Sequence, residues 1–401
     1  NIMANSYLNR TTGSPSNADK VTISAWVKKA KLGRQIIIGD YGSSTNRGKL
    51  QFSSSDQLEY YQVDGGSATV QITTNRLFRD PSAFYHIVMQ YDSAQSTASD
   101  RLKLYVNGTQ ETSLANSTYP PQNQDIRLNK SGVNLHIGQD GNSSDYLEGY
   151  ISHIALVDNA ISAPTVFGET DSTSGIWKFK SPSGVTWGTN GFHLKFENSG
   201  ALGTDSSGNS NTFTVNGNLK QALDTPSNTY CTMNPLDNYY PASTFTTGNN
   251  SIGTAGSARS YNTGTLGVSK GKWYWEVKAV SSVTASNGCW IGIASTNPTN
   301  NGSSSQQTLG YKQYDYGFSS GTGNINTNNS QSSYGSGYGD NDIVGVAMDL
   351  DNNKLYFHVN GTYENSGVPT SGSTGTGAVS IQAASGTLNG CLLYTSDAAD
   401  E

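Results

Sequence analysis

The stretch NNKLYFHVNGTYE, residues 352–364, decides the fold, because it nearly repeats DRLKLYVNGTQ of residues 100–110. Asn-Gly takes positive φ at little cost at both centres of a type I′ turn, and the twist of that turn matches two antiparallel strands. Each copy therefore predicts a strand running into a tight hairpin, and TFTVNGN at 212–218 is a fainter third copy. A β-rich chain reuses good turns, so the flanking residues must decide between one sheet and two modules in series.

Around the first copy the period is two, in VTISAWVKK, AFYHIVMQYD, NLHIGQD and GYISHIALVD. In VTISAWVKK, Val21, Ile23, Ala25 and Val27 share one face, and Thr22, Ser24, Trp26 and Lys28 share the other. Short strands punctuated by Gly, Asn, Asp and Pro predict an antiparallel sandwich from about residue 1 to 165. Residues 166–260 read as a connector: a small β element over 191–217 docked on a neighbour, then a Pro/Asn-rich linker. Strands return over 261–390. In KWYWEVKAV, Trp273, Trp275, Val277 and Ala279 alternate with Tyr274, Glu276, Lys278 and Val280, while IVGVAMDL is apolar on both faces and predicts a strand buried on both sides. The expected fold class is all-β, two antiparallel jelly-roll-type sandwiches in series with a β-containing connector.

Composition agrees. The 401 residues are 13% charged, against roughly 25% for an average soluble domain, and include 45 Gly and 23 Tyr. Solubility then rests on Asn, Ser, Thr and Gly, as in many secreted or surface-displayed β proteins. A net charge of -6 without a Lys/Arg cluster argues against nucleic acid. No apolar run approaches ~18 residues, so no transmembrane helix is expected. Three cysteines make no disulfide framework: Cys231 falls in a loop-like stretch and Cys289 reads as a small buried hydrophobe. The ending CLLYTSDAADE, 391–401, looks like a translated sequencing adapter, which makes Cys391 foreign and the chain a metagenomic fragment truncated at both ends.

SYLNRTT, KVTISAWVKK, FYHIVMQYD, RLKLYVNGT and HIGQDGNSSDYLEGYISHIALVDNAIS resemble the laminin-G-like, pentraxin-like and concanavalin-like jelly-roll superfamily. GKWYWEVKA, CWIGIAS and DIVGVAMDLDNNKLYFHVNGT resemble a SPRY domain. The two Asn-Gly phrases thus occupy analogous hairpins in different modules. The module order is similar to marine bacteriophage tail-fibre or virion structural proteins. This implies a lectin-like, non-catalytic protein on a virion surface that recognises a cell-surface glycan or surface protein, contacts other virion proteins and forms a homo-oligomer. A secreted bacterial glycan-binding module or glycoside hydrolase, and a purely structural spacer, are the alternatives.

No paired-acid hydrolase motif occurs. Glu59, Glu111, Glu148, Glu169, Glu197 and Glu276 stand singly, and His86, His136, His153, His193 and His358 lack metal-ligand spacing. GQDGNSSDYLEG resembles the pentraxin calcium loop, which implies Gln139, Asp140 and Asp145 as Ca²⁺ ligands; Gly141-Asn142-Ser143 supply fewer acids than that loop, and a polar turn capped by Asx hydrogen bonds is the other reading. A long polar loop over 297–341 carries Tyr311, Tyr314, Tyr316, Tyr334 and Tyr338. Tyr among Ser, Gly and Asn is the mixture of antibody binding loops, and SPRY domains bind through loops, so these five are candidate ligand contacts; an adhesive or disordered segment is the alternative.

Overall fold

The computed structural model describes residues 5–142, 145–239, 243–253, 260–281, 288–294 and 309–382. Cys391, the segment 391–401 and the 297–308 part of the polar loop lie outside the described residues. Two compact units are formed, 1–232 with 246–251, and 233–245 with the residues from 252 on. Helical turns among the described residues are 3-10 segments of three to six residues.

The first unit is an antiparallel sandwich. Its strands are β1 (Tyr7–Thr11), β2 (Lys20–Lys29), β3 (Gln35–Ser43), β4 (Asn46–Phe52), β5 (Gln57–Asp64), β6 (Ser67–Leu77), β7 (Tyr85–Asp92), β8 (Leu102–Val106), β9 (Thr109–Gln110), β10 (Leu114–Thr118), β11 (Asn134–Ile137), β12 (Gly149–Asp158), β13 (Gly168–Thr170), β14 (Trp177–Phe179), β15 (Phe192–Leu194) and β16 (Thr214–Asn216). An eight-stranded sheet runs β10-β6-β5-β4-β3-β11-β1-β16, and a six-stranded sheet runs β15-β12-β2-β7-β8-β9. Between them lies one core that includes Val21, Ile23, Leu50, Phe52, Tyr60, Ile72, Ile87 and Leu156. Each such side chain contributes roughly 1.5–3 kcal/mol by leaving water.

The chain does not leave this sandwich at residue 165. β13 and β14 pair as a hairpin, β15 extends the six-stranded sheet beside β12, and β16 extends the eight-stranded sheet beside β1. These additions bury both faces of β2. Besides the core face, Trp26 is 2% exposed under Phe179, and Lys28 is 1% exposed where it meets Asp224 and the Tyr230 carbonyl.

In the second unit β17 (Met233–Tyr239) pairs with β20 (Tyr261–Gly264); the short strands β18 (Thr244–Thr246) and β19 (Ser251–Gly253), at the two ends of the 246–251 segment, pair with each other. One sheet of its sandwich contains β21 (Lys272–Lys278), β26 (Ile343–Asp349), β27 (Lys354–Val359), β28 (Thr362–Tyr363) and β29 (Val379–Ser380); the other contains β22 (Trp290–Ile293), β23 (Tyr316–Ser319), β24 (Asn324–Thr327) and β25 (Ser330–Ser333). Phe318, Val344, Val346, Leu355 and Phe357 form its solvent-free centre. β26 is buried on both sides from Val344 to Val346, but Ile343 is 39% exposed. Gly345 permits the other face to close: a Cβ there would meet the ring of His358.

Two of the three Asn-Gly phrases make the expected hairpin. Asn107 (φ 48°) and Gly108 (φ 82°) join β8 to β9, and Asn360 (φ 50°) and Gly361 (φ 87°) join β27 to β28. The third does not. Only Gly217 has positive φ there, and β16 pairs with the distant β1 instead of a hairpin neighbour. Gly217 is needed because a Cβ would sit 2.5 Å from the Asn5 carbonyl oxygen.

Candidate functional site

Side chains of β4, β5 and β6 that point away from the first core form a polar face. Cross-strand partners share a face. Lys49 pairs with Tyr61 and Tyr61 with Gln71, while Gln51 pairs with Glu59 and Glu59 with Thr73. Between these rows Leu50, Leu58, Tyr60, Val70 and Ile72 point into the core.

Glu59 is the hub. Its carboxylate accepts from Gln51 Nε2 at 2.6 Å, Thr73 Oγ1 at 2.9 Å and Gln71 Nε2 at 3.0 Å. Asn116 of the edge strand β10 reaches Gln71 Oε1 at 3.4 Å. Glu59 and Gln51 are buried, with Gln71, Asn116, Tyr61 and Lys49 half-buried around them. Gln51 Oε1 is buried without a hydrogen-bond partner, although buried polar groups are generally paired. Beside this comb the Arg47 guanidinium lies over the rings of Tyr61, at 5.7 Å, and Tyr41, at 6.0 Å. One carboxylate held by neutral donors, flanking amides and a half-exposed aromatic ring make a surface suited to hydroxyl-rich ligands. Period-two alternation in KLQF, LEYY and VQIT carried the signal for this face, but sequence does not give the register that brings Gln51, Glu59 and Gln71 together.

The loop after β11 lies beside this face. Gly39 makes room for it, since a Cβ there would be 2.9 Å from Asp140 Cβ. Gln139 and Asp140 are each 2% exposed. Asp140 accepts from the Asn142 amide at 3.0 Å and pairs with Lys49 at 3.4 Å; Asp145 pairs with Arg34 at 3.7 Å. Ca²⁺ takes six to eight oxygens. Here two carboxylates already face protein cations, and no group of three or more His, Cys, Asp or Glu able to hold a metal occurs among the described residues. As placed, this donor set does not fit Ca²⁺.

The tyrosine-rich segment is interior, not exposed loop, at three of its five candidate tyrosines. Residues 316–333 form β23, β24 and β25, and Tyr316, together with Tyr334 and Tyr338, which follow β25, belongs to the second core at 8%, 8% and 4% exposure. Tyr334 and Tyr338 pack against Phe318, at 6.0 Å and 5.6 Å between ring centres. Their hydroxyls serve the backbone: Tyr338 donates to the Cys289 carbonyl at 2.8 Å, Tyr334 donates to that of Gly377 at 3.1 Å, and Tyr316 accepts from the Gln382 amide at 3.0 Å. Burial pushes the Tyr334 phenol up to about 12. Tyr311, at 41% exposure, and half-buried Tyr314, with φ of 74°, are the two that still meet solvent.

Comparison with known proteins agrees with both sandwiches. Residues 4–167 match the model of the concanavalin A-like lectin/glucanases superfamily (Laminin_G_3), and residues 272–384 match the SPRY domain model. No curated protein matches the sequence. Among solved structures, the chain is similar to a native heptameric SAP-like pentraxin from Limulus polyphemus (14% identity, TM-score 0.34, covering 54% of this chain and 88% of that one). It is also similar to a candidate carbohydrate-binding protein from Bacteroides ovatus (17%, 0.33, 56% and 59%). A third is tailspike protein 2 from the Escherichia coli O157:H7 bacteriophage CAB120 (13%, 0.28, 40% and 22%). The chain spans less than two thirds of the latter two proteins. No helix among the described residues is long and apolar enough to cross a membrane.

Proposed function

We propose that the chain is a non-catalytic recognition protein whose first unit binds a cell-surface glycan across the outer face of its eight-stranded sheet. The observation that carries this reading is the half-buried row of Gln71, Asn116 and Tyr61, with Gln71 held in place by the Glu59 carboxylate that also gathers Gln51 and Thr73 beneath the surface. Sugars present hydroxyls to half-buried amides such as those of Gln71 and Asn116 and an apolar CH face to a ring such as that of Tyr61. Hydrolysis would call for two carboxyl groups set across a cleft. Glu59 is held by three neutral donors, and Asp140 and Asp145 of the neighbouring loop are ion-paired with Lys49 and Arg34, which supports recognition over hydrolysis. The virion surface, tail-fibre role and homo-oligomer rest on the resemblance of the module order to phage tail fibres.

The test is a glycan array probed with the intact chain and with Tyr61→Ala. Binding that falls about tenfold or more in the variant, on a chain of unchanged melting temperature, supports the reading. Equal binding by both chains, or glycan turnover, overturns it.

A further inference from the structure

The outer face of the six-stranded sheet carries a different chemistry. Hairpin β13–β14 lies over it, and both of its aromatic anchors rest on histidine. Trp177 stacks on His86, with ring centres 5.9 Å apart and planes at 18°, and donates from Nε1 to His86 Nδ1 at 3.0 Å. Because Nδ1 accepts, the ring proton is on Nε2 and is donated to Ser24 Oγ at 2.9 Å. Trp26 closes the other side of His86, at 4.5 Å between ring centres. Phe179 stacks on His153 at 3.7 Å and 15°. His153 sits at a bulge in β12 with φ of 46°, and its Nδ1 is buried without a hydrogen-bond partner. His193 follows at 5.7 Å and stacks in turn on Trp187.

We infer that this hairpin is an acid-released latch: it stays docked while His86 and His153 are neutral and lifts from the sheet when they take a second proton. A proton on His86 Nδ1 would face the Trp177 N–H donor, and one on His153 would place a cation on a buried atom with no acceptor. The surroundings do not compensate. Ser24, Trp26 and Trp177 around His86 are neutral. His153 faces Phe179, His193 and the Lys195 charge, and among the described residues the acid acting on this group is Asp205, which acts on His193. Lys178 of the hairpin is itself paired with Asp171 and Glu169. Burial pushes His86 down to about 3 and, with His193 and Lys195, His153 down to about 4.

The sign follows. A histidine whose docked pKa lies below its free value of roughly 6.5 favours docking fully above that value and loses the contribution as pH falls toward the docked pKa. Between pH 6.5 and 4.5 the opening equilibrium rises by roughly 40- to 50-fold for each of the two histidines.

The test uses the full chain labelled with 5-fluorotryptophan, followed by ¹⁹F NMR from pH 7.5 to 4, with Trp177→Phe assigning the resonance. The Trp177 signal should move to its solvent-exposed position between pH 6 and 4 while those of Trp273, Trp275 and Trp290 stay and the far-ultraviolet sheet signal persists. His86→Gln keeps an acceptor for Trp177 and a donor for Ser24 without a titrating ring, so its release should come at least one pH unit lower. If that variant does not fold, His153→Phe gives the same comparison. A Trp177 signal unmoved to pH 4, loss of sheet at the same midpoint, or a variant that releases with the parent overturns the latch.

Discussion

Lys28 Nζ lies 2.8 Å from Asp224 Oδ2, and the two side chains are 1% and 5% exposed. Residues 196 apart in sequence are thereby tied at the end of β2, where Lys28 also donates to the Tyr230 carbonyl at 3.1 Å and lies 5.6 Å from the Tyr150 ring. A buried pair is costly to break on one side, because the remaining charge is left in a dry site. Asp224→Ala should destabilise the first unit by about 3–5 kcal/mol in urea unfolding. The double variant Lys28→Met, Asp224→Leu should recover most of that loss. A single variant within ~0.5 kcal/mol of the parent would show that water reaches the pair.

The two hairpin glycines give a matched comparison. Gly108 and Gly361 have nearly the same φ, yet a Cβ on Gly108 would lie 2.6 Å from the Trp177 ring, whereas nothing lies within 4 Å of one on Gly361. Gly361→Ala should cost only the left-handed strain of about 1–2 kcal/mol. Gly108→Ala adds a clash with the indole and should cost ~2–4 kcal/mol, combining that strain with overpacking. Trp177→Ala should abolish the difference, with a coupling of at least about 1 kcal/mol in a double-mutant cycle by thermal unfolding.

Both sandwiches were legible in the sequence because period-two alternation states directly which side chains share a face. Val21, Ile23, Ala25 and Val27 are all buried as their spacing requires. What the pattern could not state is what covers the opposite face. Trp26 and Lys28 read as outward, and only the return of residues 166–230 over the sheet makes them interior. The Glu59 comb stayed hidden for a related reason: it depends on the register of three strands, set in part by bulges at Gln57/Glu59 and Gln62/Val63. In the second unit, abundant Gly, Asn and Ser hide the period-two pair Tyr316 and Phe318, so composition alone gives this core strand the look of a binding loop.

The buried tyrosines lead to a stability prediction that separates them from ligand contacts. Tyr338→Phe deletes the hydrogen bond to the Cys289 carbonyl and should cost about 1 kcal/mol. Tyr338→Ala opens a cavity beside Phe318 and should cost ~3–5 kcal/mol. Glycan binding should be unchanged in the Phe variant. Weaker binding with unaltered stability would restore Tyr338 as a contact residue.

Calcium gives the last test, and the geometry fixes its direction. The ion would have to displace Lys49 from Asp140 and Arg34 from Asp145 and still find at least four more oxygens. The Asn142 amide also occupies Asp140 Oδ1. Ca²⁺ at ~1 mM should therefore leave the melting temperature unchanged, since an ion that does not reach its dissociation constant adds almost nothing to stability. Lys49→Gln frees one carboxylate oxygen and lowers the local positive charge, so a shift confined to that variant would identify Lys49 as the group that stands in for the metal. A rise of several degrees in the parent chain would instead show that the loop rearranges to gather the ion, as the pentraxin-like resemblance implies.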